Sequence, residues 1–294
     1  MFTKKKKSAN GCTNSNQGAV NMSQEEEKQE LKENLERIKH KIVVLSGKGG
    51  VGKSTVAVNL AVSLLKKGYK VGLLDIDIHG PSIPKLLKLE DENILGDNSE
   101  RLIPVLYSGS LKVMSVGFML GNDNNAVVWR GPLKYGVIKQ FLKDVVWGDL
   151  DYLVIDSPPG TGDEPLSICQ LIENPDGAVI VTTPQDIAIL DVKKSITFCG
   201  LLNMPVIGVV ENMSGFICPH CSKSVDIFKK GGGENMAIEM GVPFLGRIPL
   251  DLNITNSGDS GNPYILNEEY KESEAVKVFS SVVERIDNFV KGRK

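Results

Sequence analysis

No stretch of the 294 residues reaches the ~18 consecutive apolar positions of a membrane-spanning helix, and no hydrophobic signal core follows the lysine cluster Lys4 to Lys7. Both absences point to a cytoplasmic protein with no membrane partner. An excess of charge is lacking too: 34 Lys and Arg stand against 36 Asp and Glu, so no broad nucleic-acid face is expected. The five cysteines (Cys12, Cys169, Cys199, Cys218, Cys221) are an odd set in a long chain, which argues against a disulfide framework and leaves metal or redox roles open. Neither His79 nor His220 has the Ser/Asp spacing of a hydrolytic triad. No Pro/Ser-rich linker interrupts residues 41–294, and no fixed-period repeat is visible, so one large domain with an N-terminal extension is expected.

Against these absences stands IVVLSGKGGVGKST at 42–55. Gly47, Lys48, Gly49, Gly50, Val51, Gly52, Lys53 and Ser54 fit G-x-x-x-x-G-K-[ST], with a β-branched run before and an amphipathic run from Thr55 onward. Glycines let successive backbone N–H groups turn inward on a polyphosphate, and the following helix adds the positive end of its dipole. Lys53 can reach the terminal phosphates, and the Ser54 hydroxyl can ligate a Mg²⁺ bridging them. Lys48 is surplus to such a loop and reads at first as a solvated charge.

Residues 1–22 carry almost no apolar content and read as a disordered tail, where Lys4 to Lys7 form a solvated run or a contact for an acidic partner. Ser23 to Glu26 has the form of a capping box opening a helix over 23–40, with Leu31, Leu35 and Ile38 as its apolar stripe. Beyond it, apolar runs at 42–46, 70–76, 152–156, 177–182, 205–210 and 243–248 alternate with helical patterns at 54–67, 133–146, 164–172, 186–202, 234–240 and 271–290. Continuous apolar strands separated by helices predict a doubly wound, mainly parallel α/β sheet. Segment 95–128 is less regular, with short strands near 102–106 and 111–116. The stripe Val276, Phe279, Val282, Val283, Ile286, Phe289, Val290 suits core packing better than a membrane surface, because acids share its polar face.

Ligands of such sheets sit beyond the carboxyl ends of the strands. Three ends carry acids or amides. After 70–76, the i, i+2 spacing of Asp75 and Asp77 would put both carboxylates on one side; Asp77 is the candidate to orient the attacking water, with helix capping the competing role, more so for Asp75. After YLVI, Asp156 has the form of a Walker B aspartate for Mg²⁺, and Gly160 would leave a backbone N–H free for a γ-phosphate. After PVIGVV comes Glu211-Asn212; the Asn212 amide can read an adenine edge, and no N-K-x-D guanine signature is present, so ATP is expected. Cys169 and Cys199 fall in apolar helical patterns and read as core.

Cys218-Pro-His-Cys221 lies in a loop at 213–223. A thioredoxin-type dithiol should open a long helix, which Ser222 to Lys230 does not resemble; half of a metal site and two unremarkable cysteines are the other readings. A tetrahedral metal or a cubane cluster needs about four thiolates or equivalents, so two chains would complete what one half-supplies.

The run of GKGGVGKST, DIDIHGPS, WRGP, DSPPGTGD, ENMSGF, CPHC, GGGE and GRIPLD resembles the Mrp/ApbC family of iron-sulfur cluster carrier ATPases, across residues 41–290 or so. That family belongs to the deviant-Walker P-loop class with MinD, ParA and the nitrogenase iron protein. The resemblance implies a homodimer holding a bridging [4Fe-4S] cluster between paired cysteine motifs, taken from a cluster donor and passed to apo iron-sulfur proteins with the use of ATP. It also implies that Lys48 reaches the partner subunit's nucleotide. Two departures stand: the tail has only Cys12 where some relatives carry four cysteines, and Arg130 of WRGP has no assigned role, while Pro132 suits a helix start. A MinD- or ParA-like positioning switch without a cluster and a Zn²⁺-clamped dimer are the alternatives.

Overall fold

In the strands VGLLD (Val71–Asp75) and GAVIVT (Gly177–Thr182) every residue is buried, so neither face of the sheet they belong to meets water. The computed structural model describes residues 23–99, 101–120, 131–218, 221 and 223–293. The tail with Cys12, Arg130 and His220 lie outside the described residues.

In chain order the elements are α1 (Gln24–Glu36), β1 (Ile38–Ser46), α2 (Lys53–Lys66), β2 (Val71–Asp75), α3 (Ile83–Leu86), β3 (Leu95–Gly96), β4 (Leu102–Ile103), β5 (Val105–Tyr107), β6 (Leu111–Ser115), α4 (Gly117–Leu120) and α5 (Gly131–Lys143). They continue with β7 (Leu150–Asp156), α6 (Asp163–Leu171), β8 (Gly177–Thr182), α7 (Asp186–Leu201), β9 (Val206–Glu211), β10 (Phe216–Ile217), β11 (Ser224–Val225), α8 (Gly232–Glu239), β12 (Phe244–Arg247), α9 (Leu252–Ser260) and α10 (Glu274–Lys291). Eight strands form one sheet in the order β12-β9-β8-β1-β7-β2-β6-β5. All its pairings are parallel except that of the edge strand β5 with β6. The expected doubly wound, mainly parallel architecture is therefore present.

Register brings chemistry-bearing residues into line. Asp75 pairs with both Asp156 and Ser115, so the ends of β6, β2 and β7 present three polar side chains in one row. On the other side of β1, Glu211 pairs with Thr182 and with Arg247. β7 sits between β1 and β2, which sets the phosphate loop after β1 beside Asp156.

Helix α10 buries Phe279, Val282, Val283, Ile286 and Val290, and it packs on α2, β9 and β12, so its apolar stripe is core. No helix among the described residues is long and apolar enough to cross a membrane. The helix expected over 23–40 is shorter: the Ser23 capping box is present, but α1 ends at Glu36 and Ile38 opens β1. Ile38 is buried either way, as a strand residue paired with Leu150, which is why its spacing from Leu31 and Leu35 misleads. Asn34, buried on α1, donates to the carbonyls of Leu142 and Val145 and ties the helix to the end of α5 and the turn after it. Cys199 is fully buried and Cys169 half-buried, and burial pushes their thiols up to about 12 and about 11.

Candidate functional site

Gly49, Gly50, Gly52, Lys53, Ser54 and Thr55 line a cavity of about 280 Å³, which Lys48 and Asp77 also border. Hollows of about 560 and 620 Å³ lie beside α1 and hold none of the phosphate-loop residues. Gly52 caps α2 in the left-handed region at φ 80°, and a Cβ there would come within 2.2 Å of Asn212 Nδ2. Only glycine permits that approach. Gly47 lies against α7, where a Cβ would meet the Asp191 carbonyl carbon at 2.4 Å.

Beneath the cradle the Lys53 ammonium is folded back onto Asp156 at 2.5 Å, with Asp77 at 3.7 Å and the Ser54 hydroxyl at 3.4 Å. Asp156 is fully buried, and its Oδ2 has no hydrogen-bond partner among the described residues. Burial pushes this carboxyl up in spite of Lys53. Its neighbour Asp75 is pushed up to about 7 by burial and then by the Asp156 charge. An oxygen left bare beside a phosphate loop is what a cation would complete.

Asp75 and Asp77 do not share a side as their spacing suggests. The i, i+2 alternation lapses because β2 ends at Asp75. Asp75 instead accepts from Ser115 Oγ (2.9 Å), from the Asp77 N–H (3.1 Å) and from the Ile83 N–H at the start of α3 (3.3 Å), so it is a capping residue. Asp77 alone turns to the cavity. A second correction concerns Gly160, whose N–H is not free: it donates to Ser46 O at 2.7 Å. The Ser46 hydroxyl in turn donates to Lys48 O at 3.0 Å, so one serine joins the β7 loop to the phosphate loop. Lys48 itself is half-buried, and its ammonium forms no ion pair among the described residues.

Asn212 is buried just past β9 and donates from Nδ2 to Val51 O at 2.9 Å, bracing the loop from below. Four residues on, at Phe216, the chain enters the antiparallel hairpin of β10 and β11. The Cys218 N–H donates to Lys223 O at 3.0 Å beyond the last pair, which places Cys218 and the exposed Cys221 at the hairpin tip. Among the described residues no three His, Cys, Asp or Glu side chains gather as a metal site.

Sequence reasoning missed a cluster beside the cavity. Lys134 on α5 donates to Glu164 of α6 at 2.5 Å and to His79 Nε2 at 2.9 Å, linking the loops after β2 and β7. Burial works to raise the Glu164 carboxyl, yet the Lys134 ammonium holds it below the usual range. The one signal available was an acid in the first turn of the helix after Asp156.

The family described as "ParA: NUBPL iron-transfer P-loop NTPase" matches residues 37–287. An iron-sulfur cluster carrier protein of Methanocaldococcus jannaschii is 54% identical over 264 residues, 90% of this chain and 89% of the relative. A cytosolic Fe-S cluster assembly factor CFD1 of Kluyveromyces lactis is 49% identical, covering 91% and 97%. Among solved structures, an ADP complex of a nucleotide-binding protein from Archaeoglobus fulgidus superposes with TM-score 0.73 at 41% identity, over 84% of this chain and 96% of that one. The cell division ATPase MinD of Pyrococcus furiosus gives 0.62 at 25%, over 85% and 99%.

Proposed function

The chain belongs to the ParA family of NUBPL-type iron-transfer P-loop NTPases, and from that premise we propose an ATP-dependent iron-sulfur cluster carrier. It takes a cluster from a donor, holds it as a bridging [4Fe-4S] group between the Cys218 and Cys221 pairs of two copies, and passes it to apo-proteins in the cytoplasm. The observation that carries the reading is the shared root of the two sites: the strand end at Asn212 braces the phosphate loop and leads within six residues to Cys218.

In this mechanism Lys53 leaves Asp156 for the terminal phosphates of ATP, and the backbone N–H groups of Gly49, Gly50 and Gly52 cradle the rest. Ser54 and the bare Asp156 Oδ2 suit Mg²⁺, which would neutralise charge on the β- and γ-phosphates. Asp77, already facing Lys53, orients the attacking water. Asn212 reads the adenine edge with the amide that now holds Val51. Gly160 reaches a γ-phosphate only by letting go of Ser46, which makes that bond a sensor of the bound state. Lys48, with no partner ion among the described residues of its own chain, completes the other copy's site. Exposed Ile187 and Leu190 on the first turns of α7, beside Gly47, support a second copy packing on this face.

Anaerobic reconstitution followed by iron, sulfide and zinc analysis tests the reading. One four-iron cluster per two chains is expected, lost in Cys218→Ala together with cluster-bridged dimers. Zinc alone in the purified and reconstituted protein would defeat it.

A further inference from the structure

Residues 214–233 leave the sheet after β9 and return at the start of α8, and both ends of this excursion close on one carboxylate. Glu211, fully buried at the end of β9, accepts from the Ser214 hydroxyl where the segment leaves and from the Gly231 N–H (2.9 Å) and the Gly233 N–H where it returns. Arg247 of the neighbouring strand brings its Nε to 3.5 Å of Glu211, that nitrogen having no hydrogen-bond partner among the described residues, while its Nη2 donates to Glu234. One side chain thus joins both ends of the cysteine excursion at its neck, beside the backbone bonds from the Ser214 N–H to Ile248 O (3.0 Å) and from the Leu250 N–H to Gly215 O (2.8 Å) that tie its outgoing end to the chain after β12.

The adjoining residues reach the nucleotide loop. Asn212 donates to Val51 O, and Met213 sits at φ 56°, a left-handed conformation that a non-glycine residue keeps only where its surroundings impose it. Its methyl would lie 3.7 Å from a Cβ on Gly52. A shift of the loop at Val51 or Gly52 therefore acts on the turn 212–214, whose far side is the neck.

Resting on the carrier reading above, we infer that Glu211 is a positioning residue that makes the setting of Cys218 and Cys221 depend on the nucleotide. An isosteric amide breaks the clasp selectively. A carboxylate accepts on both oxygens, but Glu211→Gln turns one into a donor, which then faces the Gly231 or the Gly233 N–H.

The test is the rate at which iodoacetamide alkylates Cys218 and Cys221 in the reduced, cluster-free full chain, with and without Mg²⁺ and a slowly hydrolysed ATP analogue, resolved by peptide mass spectrometry. In the native chain the analogue should change that rate by about fivefold or more, the lower end for coupled sites. In Glu211→Gln the change should fall to within about twofold, while analogue affinity stays within about threefold and thermal unfolding remains cooperative. A merely structural clasp would alter the rates with and without nucleotide alike and leave their ratio intact; that result overturns the inference. Should Glu211→Gln fail to fold, Ser214→Ala removes one donor from the neck, and an undiminished ratio in it is equally fatal. A native chain that shows no response refutes the coupling in the carrier reading before any substitution is made, and the clasp falls with it.

Discussion

At the N-terminal end of the strands Asp287 of α10 accepts from the hydroxyls of Tyr152 (2.5 Å) and Tyr69 (3.1 Å) and pairs with Lys291 (3.0 Å), so both oxygens are in use. At the C-terminal end Asp156 shares Lys53 with Asp77 and keeps one oxygen bare. Burial works to raise the Asp287 carboxyl, but the bonds from Tyr152, Lys291 and Tyr69 outweigh it and hold it low. Burial wins at Asp75 and Asp156. The same sheet thus replaces lost hydration completely at one end and incompletely at the other. Complete replacement builds stability, whereas the shortfall stores an affinity for whatever brings positive charge.

Lys53→Ala should separate the two ends most sharply. Removing the cation that serves Asp156 leaves a buried carboxylate unpaired, a loss of about 3–5 kcal/mol for a broken buried pair. Nucleotide affinity and hydrolysis should fall together, by about a hundredfold or more. ATP-dependent transfer of a reconstituted cluster to an apo-acceptor should stop. Unchanged transfer with ATP present would remove the coupling, and unchanged affinity would show that Lys53 stays on Asp156 when the site is filled.

Asp287→Asn addresses the opposite end with a smaller effect. The amide can accept from one tyrosine hydroxyl but opposes the other with a donor, and it loses the Lys291 charge, so about 1–3 kcal/mol of stability should go. Because the folded carboxyl lies below its unfolded range, its contribution is present above the usual carboxylate pKa and is lost as the pH falls through the folded value. The gap between native and variant in urea unfolding should therefore be widest near neutrality and close toward strong acid. ATP binding and hydrolysis should not change. A variant that hydrolyses ATP more slowly would mean that this end is not purely structural.

How much of this was legible depended on how local the physics is. Gly47 to Ser54 can be read because a phosphate cradle demands particular residues at fixed spacing, and the buried parallel strands announce themselves as apolar runs. α9 could not be read: LNITNSGDS has few good helix formers, and the helix stands on the Asp251 cap and the left-handed Gly261. Segment 95–128 stayed obscure because β3, β4 and β5 are two or three residues long and leave Leu95, Ile103 and Leu106 exposed, so no burial period forms. The split between Asp75 and Asp77, the bond from Gly160 to Ser46 and the clasp at Glu211 all depend on where strands end and which distant segments meet there, the register between strands included. A linear sequence does not display register.

Asp75→Asn is the most direct test of the contrast, because here a substitution should add stability and not remove it. Asp75 is pushed up to about 7 in the folded chain, so it stays protonated there over a range where the unfolded chain has already ionised. The unfolded state then binds fewer protons, and stability declines as the pH rises from the usual carboxylate range toward 7. An asparagine removes that decline. Its oxygen can still accept the Asp77 N–H, and its amide can donate to Ser115 Oγ, since a hydroxyl can turn to accept, but the Ile83 N–H loses its acceptor. Near pH 4 the variant and the native chain should differ only by that one lost bond, an offset that does not vary with pH. Above that the variant should gain by at most about 1.4 kcal/mol per pH unit, levelling off past 7. Mg²⁺ and ATP should shrink the gain, because they bring Asp156 a counter-charge and so relieve the repulsion that raises Asp75. A flat difference across this range would mean that the C-terminal end is as well compensated as the end around Asp287, and the contrast between them would be lost.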